Sequence, residues 1–265
     1  MQLSITLRSP NLVSLKLSVT GDIHPKIQEY REAILAQGWS QLQKIDINGY
    51  ILEDKDVAMT LDAMTNAKVL VLQGSLFAEN AHRSLMTRHS TTIGTLDLRY
   101  CRTITSSMVQ AILSKCPSLE VLRVYKLCGS DLVRLEPTDQ TDQTGMADVD
   151  TIVTGEDWVC LKLRVLDLRF EMSGDVDRDL EQEYALRQLS RLSQLECLTI
   201  GCVFDDDRIK PTLMLTLDSH GRGLQQLSTL KRLKFLDVGY GGQMLYEQEL
   251  RWMASNWPKL ETMLG

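Results

Sequence analysis

Apolar residues return along this chain in a fixed six-residue signature, apolar-x-x-apolar-x-apolar. It occurs as Leu12/Leu15/Leu17, Leu42/Ile45/Ile47, Ala67/Leu70/Leu72, Ile93/Leu96/Leu98 and Leu119/Leu122/Val124. It continues as Leu163/Leu166/Leu168, Leu195/Leu198/Ile200 and Leu233/Leu236/Val238, with a partial copy at Leu260/Met263. First positions are separated by 30, 25, 26, 26, 44, 32, 38 and 27 residues. The underlying unit is therefore about 26 residues, and the longer steps carry insertions. Within the signature, apolar and polar positions alternate, which predicts a short strand with one face buried. After it the apolar residues step by three and four: Ile23, Ile27, Tyr30, Ile34, then Val57, Leu61, Met64. Met108, Ala111, Ile112, Cys116 and Leu250, Met253, Ala254, Trp257 repeat that stripe, the mark of a helix packed on one side. Ser107 and Gln110 have capping-box spacing, and Gly38 stands where a helix would end. Each unit reads strand, turn, helix, return. None buries its apolar face alone, so neighbours must stack.

The fullest unit runs from Ile93 through Leu96, Leu98, Cys101, Ile104 and Thr105 into a helix that closes at Cys116-Pro117-Ser118-Leu119. It resembles the leucine-rich repeat (LRR), and in particular the cysteine-containing repeat of F-box/LRR proteins, whose unit closes in Cys-Pro-x-Leu. The closing Pro-x-Leu recurs at Pro10-Asn11-Leu12 and Pro258-Lys259-Leu260. At the position of Cys101 the other units carry Thr20, Tyr50, Ser75, Leu127, Glu171, Val203 and Gly241, so the cysteine subtype rests on this one unit. The resemblance implies an α/β fold, a right-handed leucine-rich-repeat solenoid or horseshoe. A parallel β-sheet would line its concave face and helices its convex face. The whole chain, 1–265, is expected to be one such domain of eight or nine repeats.

Composition narrows the function. Of 265 residues, 43% are apolar and 24% charged, the profile of a soluble folded protein. The net charge of −6 opposes general nucleic-acid binding, which needs a positive field, and docking on anionic membranes. The first residues lack the basic and apolar regions of a secretory signal, and no run of eighteen apolar residues exists to span a bilayer. Six cysteines (Cys101, Cys116, Cys128, Cys160, Cys197, Cys202) lie in apolar segments. They are expected as buried free thiols, which places the protein in cytoplasm or nucleus. One long step holds an acidic insertion near 127–157: eight acids face Arg134 alone, which predicts a solvated, partly disordered loop.

Candidate chemistry is sparse. His24, His82, His89 and His220 fall on different units without metal-ligand spacing and are expected at surfaces or turns. No Cys-x-x-Cys exists for zinc. Asp205-Asp206-Asp207 offers too few oxygen ligands at loop spacing for calcium. Gly239-Tyr240-Gly241-Gly242 lacks the order and the lysine of a phosphate loop. No nucleophile elbow supports a hydrolase. Neither catalytic residue, cofactor nor metal is expected.

What remains is the concave row. The fifth position of successive units reads Lys16, Asp46, Val71, Asp97, Arg123, Asp167, Thr199, Asp237, a charge ladder on adjacent strands. The seventh and eighth positions add Arg99, Tyr100, Tyr125, Lys126, Arg169, Phe170 and Tyr240. Tyr and Arg anchor interfaces. The expected protein-binding face is thus Asp97, Arg99, Tyr100, Arg123, Tyr125, Asp167, Arg169, Phe170 and Tyr240. By resemblance, the chain is expected to be a non-catalytic scaffold, the substrate-recognition region of an F-box-type ubiquitin ligase subunit. Its partner would be a protein to be ubiquitinated. A Skp-type adaptor would bind only through an F-box outside this chain, because nothing here resembles one. The alternatives are a stand-alone LRR binding or inhibitor protein similar to ribonuclease inhibitors, and, after it, a GTPase-activating LRR protein.

Overall fold

The computed structural model describes residues 11–18, 30, 32, 39–48, 52–128, 133–135, 152–154, 156–172, 178–201, 213–239 and 245–265. Eleven strands occur among them: β1 (Ser14–Ser18), β2 (Lys44–Asn48), β3 (Val69–Gln73), β4 (Thr95–Asp97), β5 (Val121–Cys128), β6 (Val133–Leu135), β7 (Ile152–Thr154), β8 (Val165–Glu171), β9 (Cys197–Thr199), β10 (Phe235–Asp237) and β11 (Thr262–Leu264). Nine of them form one sheet in the order β1-β2-β3-β4-β5-β8-β9-β10-β11, and every pairing in it is parallel. Parallel neighbours need a return element between them. Helices α1 (Asp54–Ala63), α2 (Glu79–Arg88), α3 (Ser106–Lys115), α4 (Arg178–Ser190) and α5 (Glu247–Asn256) fill that role, and a 3₁₀ turn at Leu224–Thr229 does so between β9 and β10. The result is a mixed α/β array with one open, all-parallel sheet, consistent with a repeat solenoid.

Register follows the signature across the sheet, and the β5–β8 ladder shifts just beyond it, between Arg123 and Lys126. Its second apolar residues stand side by side as Leu15, Ile45, Leu70, Leu96, Leu122, Leu166, Leu198, Leu236 and Met263. A one-residue shift would turn a strand's apolar set out of the core. From Leu15 to Leu236 these side chains are buried, in one cluster with Val57, Leu61, Leu85, Ile112, Leu189 and Met253 from the helices. Met263, on the edge strand with a neighbour on one side only, is 37% exposed.

Successive units are tied by a repeated backbone fork. The carbonyl just before one strand accepts two N–H groups from the next unit: Lys68 O from Gly94 and Thr95, Glu120 O from Arg164 and Val165, Glu196 O from Lys234 and Phe235. Side chains add to it. The Cys101 thiol donates to Leu72 O at 2.9 Å, His89 Nε2 to Leu61 O at 2.8 Å and Trp257 Nε1 to Leu227 O at 2.9 Å. The hydroxyls of Thr65, Thr92 and Ser118 donate to Ser40 O, Ala67 O and Thr91 O. Each bond satisfies a buried or turn carbonyl of the preceding unit. Helix α2 has no cap of its own at Ala78. Asp54 of the preceding unit supplies it, Oδ1 accepting from Ala78 and Ala81 N–H and Oδ2 from Asn80 N–H and Nδ2.

Several local expectations change. Thr105, not Ser107, caps α3, its Oγ1 accepting from Met108 N–H at 3.3 Å. The third residue of that helix is Met108, which closes no capping box. Gln110 instead accepts from Trp158 Nε1 at 3.0 Å and donates to Glu156 O. The acidic insertion holds an antiparallel pair, β6 with β7, at its β-branched apolar residues Val133, Ile152 and Val153; most of the insertion lies outside the described residues. His89 is buried rather than at a surface, because its ring joins two units. Among the described residues, no helix is long and apolar enough to cross a membrane.

Replacing the fully buried Leu98 by Ala is expected to cost about 2–5 kcal/mol in denaturant unfolding. Asp54→Ala is expected to cost about 1–2 kcal/mol through loss of the α2 cap. Burial works to raise the Asp54 pKa, but the hydrogen bonds from Ala81, Ala78 and Asn80 outweigh it and hold the group below its ordinary 3.8. A lowered native pKa gives stability that is complete above the unfolded value and is lost as pH falls through the native one. The gap between wild type and Asp54→Ala should therefore close in acid, as followed by thermal unfolding from pH 7 to pH 2.

Candidate protein-binding face

On the sheet face opposite the core, the expected fifth-position row is in register: Lys16, Asp46, Val71, Asp97, Arg123, Asp167, Thr199 and Asp237 lie on successive strands. Asp97 is its centre. Its side chain is 3% exposed, and Arg99 grips it through Nε to Oδ1 at 3.1 Å and Nη2 to Oδ2 at 2.8 Å. Gln73 Nε2 donates to Oδ2 at 3.1 Å, and Arg123 Nη1 stands 3.8 Å from the same oxygen. A carboxylate so enclosed is stabilised only while those partners hold. The arginines are less enclosed, with side chains 39% and 35% exposed for Arg99 and Arg123. Hydrogen bonding to Asp97 raises the Arg99 pKa further. Asp167 sits beside Arg123 on the next strand. Burial raises its pKa, and the charges of Arg99 and Arg123 only partly offset that. The ladder both ties strands together and leaves two guanidiniums facing outward.

Tyr100 stands in the turn that follows β4. It is 68% exposed and has φ 64°, a left-handed backbone that costs an L-residue about 1–2 kcal/mol. Gly74 occupies the same place in the preceding unit, at φ 80°. The fold holds the turn on both sides: Gly74 N–H donates to Arg99 O and Leu98 N–H to Arg123 O. A large ring thus stands in solvent at a position where glycine fits without strain. Strained positions of this sort concentrate at functional sites.

Two expected site residues are corrected. Phe170 is fully buried and stacks on Trp158 with ring centroids 6.5 Å apart. Strand β8 does not turn at the eighth position but continues to Glu171, so alternation puts Phe170 on the core side with Leu166 and Leu168. Arg169 does lie on the side of Asp167, yet only 5% of its side chain is exposed. It is not the open contact residue expected. Tyr125 belongs to β5, but its side chain is outside the described residues, and so is Tyr240. The Asp205-Asp206-Asp207 stretch lies outside them too.

A second ladder escaped the sequence reading. Glu120, Arg164, Glu196, Lys234 and Glu261, at the second position of consecutive units, alternate in sign. Glu196 Oε1 accepts from Arg164 Nε at 3.0 Å and Oε2 from Lys234 Nζ at 2.9 Å. Lys234, then Arg164, lower its pKa to about 2. Alternating charge at one fixed repeat position was the available signal.

Burial pushes the thiols of Cys101, Cys116 and Cys160 up to about 12, and protonated thiols are poor nucleophiles and ligands. Cys128 and Cys197 are half-buried and also free. Among the described residues, no three His, Cys, Asp or Glu side chains gather as a metal site. Burial lowers the pKa of His89 and of His82. His89, expected at a surface or turn, has a structural role instead: its Nδ1 accepts from Ala67 N–H at 3.4 Å. No protein-family model matches the chain, and no curated protein matches its sequence.

Because Tyr100 occupies a glycine-favouring turn, Tyr100→Gly should leave stability unchanged or raise it by up to about 1 kcal/mol, strain relief exceeding the added chain entropy. A loss of more than about 1 kcal/mol in urea unfolding would show that the ring has a packing role.

Proposed function

We propose that this chain is a leucine-rich-repeat module that binds another protein on the concave face of its horseshoe and performs no catalysis itself. One observation carries the reading: Tyr100, strained and exposed, follows the half-exposed Arg99 in the turn after β4, and Arg123 of the neighbouring strand β5 shares the carboxylate of Asp97 with Arg99. Aromatic and arginine side chains are the usual anchors of protein interfaces, and rigid strands limit the entropy lost when they are engaged. The buried ladder acid Asp97 orients both guanidiniums before a partner arrives. The resemblance of the unit around Cys101 and Cys116 to F-box/LRR repeats supports a narrower role, selection of a protein for ubiquitination. A Skp-type adaptor would then act through an F-box elsewhere. Free, protonated thiols suit the cytoplasm or nucleus, where such a role belongs.

The test begins with affinity purification of the tagged chain from eukaryotic cells and mass spectrometry of what it holds. Calorimetry with the purified partner should then show Tyr100→Ala with Arg123→Ala weakening binding by about 30-fold or more, the scale of an interface anchor. If that variant bound as wild type and an α2 variant such as Arg83→Ala did not, the binding surface would be on the helices. Depleting the chain should raise the cellular level of a ubiquitination substrate. A partner whose level did not change would instead favour a stand-alone binding protein.

A further inference from the structure

Arg169 lies on the side of the sheet opposite the core, and only 5% of its side chain is exposed. Its Nε and Nη1 are buried and make no hydrogen bond. Its nearest acid oxygen, Glu171 Oε1, is 3.8 Å from Nη1, beyond hydrogen-bond distance. Arg99, by contrast, has a two-point grip on Asp97. A guanidinium stays charged at every physiological pH, so it cannot escape by losing a proton. Buried donors left unmade are rare in folded proteins and call for a specific reason.

The backbone beside it is also irregular. Arg123 pairs with Asp167 and Lys126 with Arg169, so two residues of β5, Val124 and Tyr125, face only Leu168 of β8. This is a β-bulge, and it is the register shift of the β5–β8 ladder. Bulges re-aim side chains and are common beside functional sites. The two irregularities, an orphaned guanidinium and a bulge, fall on adjacent strands at the same level.

We propose that Arg169 anchors an oxyanion subsite on the side of the sheet opposite the core, which takes a carboxylate or phosphate group carried by the bound partner. The planar fork of guanidinium donors matches two oxygens of such a group. The cation is already out of water, so an incoming anion meets a donor pair that folding has desolvated and fixed. Arg123, immediately before the bulge on the adjacent strand β5, adds positive charge at the approach. This subsite rests on the protein-binding reading of the face, but it is testable with small anions alone.

The probes are sodium phosphate and sodium acetate, each against sodium chloride at equal ionic strength, with the purified full chain. At several times the dissociation constant, the anion that fits should raise Tm by about 2–4 °C. Arg169→Gln should abolish that rise, and Arg83→Gln on the exposed face of α2 should keep it. A response to phosphate alone would identify a phosphorylated partner group, and a response to acetate an acidic side chain. In case Arg169→Gln does not fold, nitrogen-15 arginine labelling of the wild type reads the same event. The Nε–H resonance missing from Arg169→Lys should shift on titration. No anion-specific rise and an unmoved resonance in the wild type would overturn the proposal, as would an equal rise in Arg169→Gln. Loss of anion binding would leave the Tyr100 and Arg123 partner test standing, and a failed partner test would leave the anion result standing.

Discussion

The parallel bond between each strand and the strand of the preceding unit is the constraint on which the rest of the molecule depends. No unit of about 26 residues can bury its own apolar stripe, so the stripe is covered only where the next unit stacks in register. The carbonyl forks at Lys68, Glu120 and Glu196 set that register. They also leave little choice for other polar groups, because every return segment must satisfy its carbonyls across the same seam. Cys101, His89, Trp257 and the hydroxyls of Thr92 and Ser118 are answers to one requirement, made with different chemistry. The thiol and the imidazole are therefore structural groups, and the reactivity their names suggest is suppressed by burial.

The same stacking creates the charged rows on the outer side of the sheet. Residues at one repeat position are brought to strand spacing whatever their type, about 4.8 Å apart, so charge at that position must be managed. Asp97 between Arg99 and Arg123, and Glu196 between Arg164 and Lys234, are two forms of that management. They differ in burial. Glu196 is 17% exposed and its cationic partners are about half exposed, where an ion pair adds little. Asp97 is more enclosed, and its two hydrogen bonds hold the Arg99 guanidinium in a fixed orientation. Where the ladder breaks, at the β5 bulge, Arg169 keeps two buried donors without a partner among the described residues.

The apolar signature made the strands of the parallel sheet, their order and their inward signature residues legible before any coordinates, because side-chain direction in a strand depends only on parity; the antiparallel pair β6–β7 carries no such signature. Fifth-position residues were legible for the same reason. Phe170 shows where the reading failed: the turn was assumed to come at the eighth position, as at Gly74 and Tyr100, but β8 runs on. Parity carried two residues further would have placed Phe170 in the core. The cap of α3 at Thr105 was missed for a related reason, because capping depends on where the helix begins and that boundary is poorly marked by composition.

By itself, then, the sequence determined the repeat, the register and the rows that face outward, since each follows from local periodicity. Tertiary structure alone decided burial within those rows. Arg99 and Arg169 occupy equivalent positions of their units and look alike in sequence, yet one is half-exposed and fully engaged while the other is enclosed and under-partnered. Left-handed backbone at Tyr100 is likewise a tertiary outcome, imposed by hydrogen bonds from the units on both sides. Exposure and pairing are sums over neighbours distant in the chain, and no local pattern encodes such a sum.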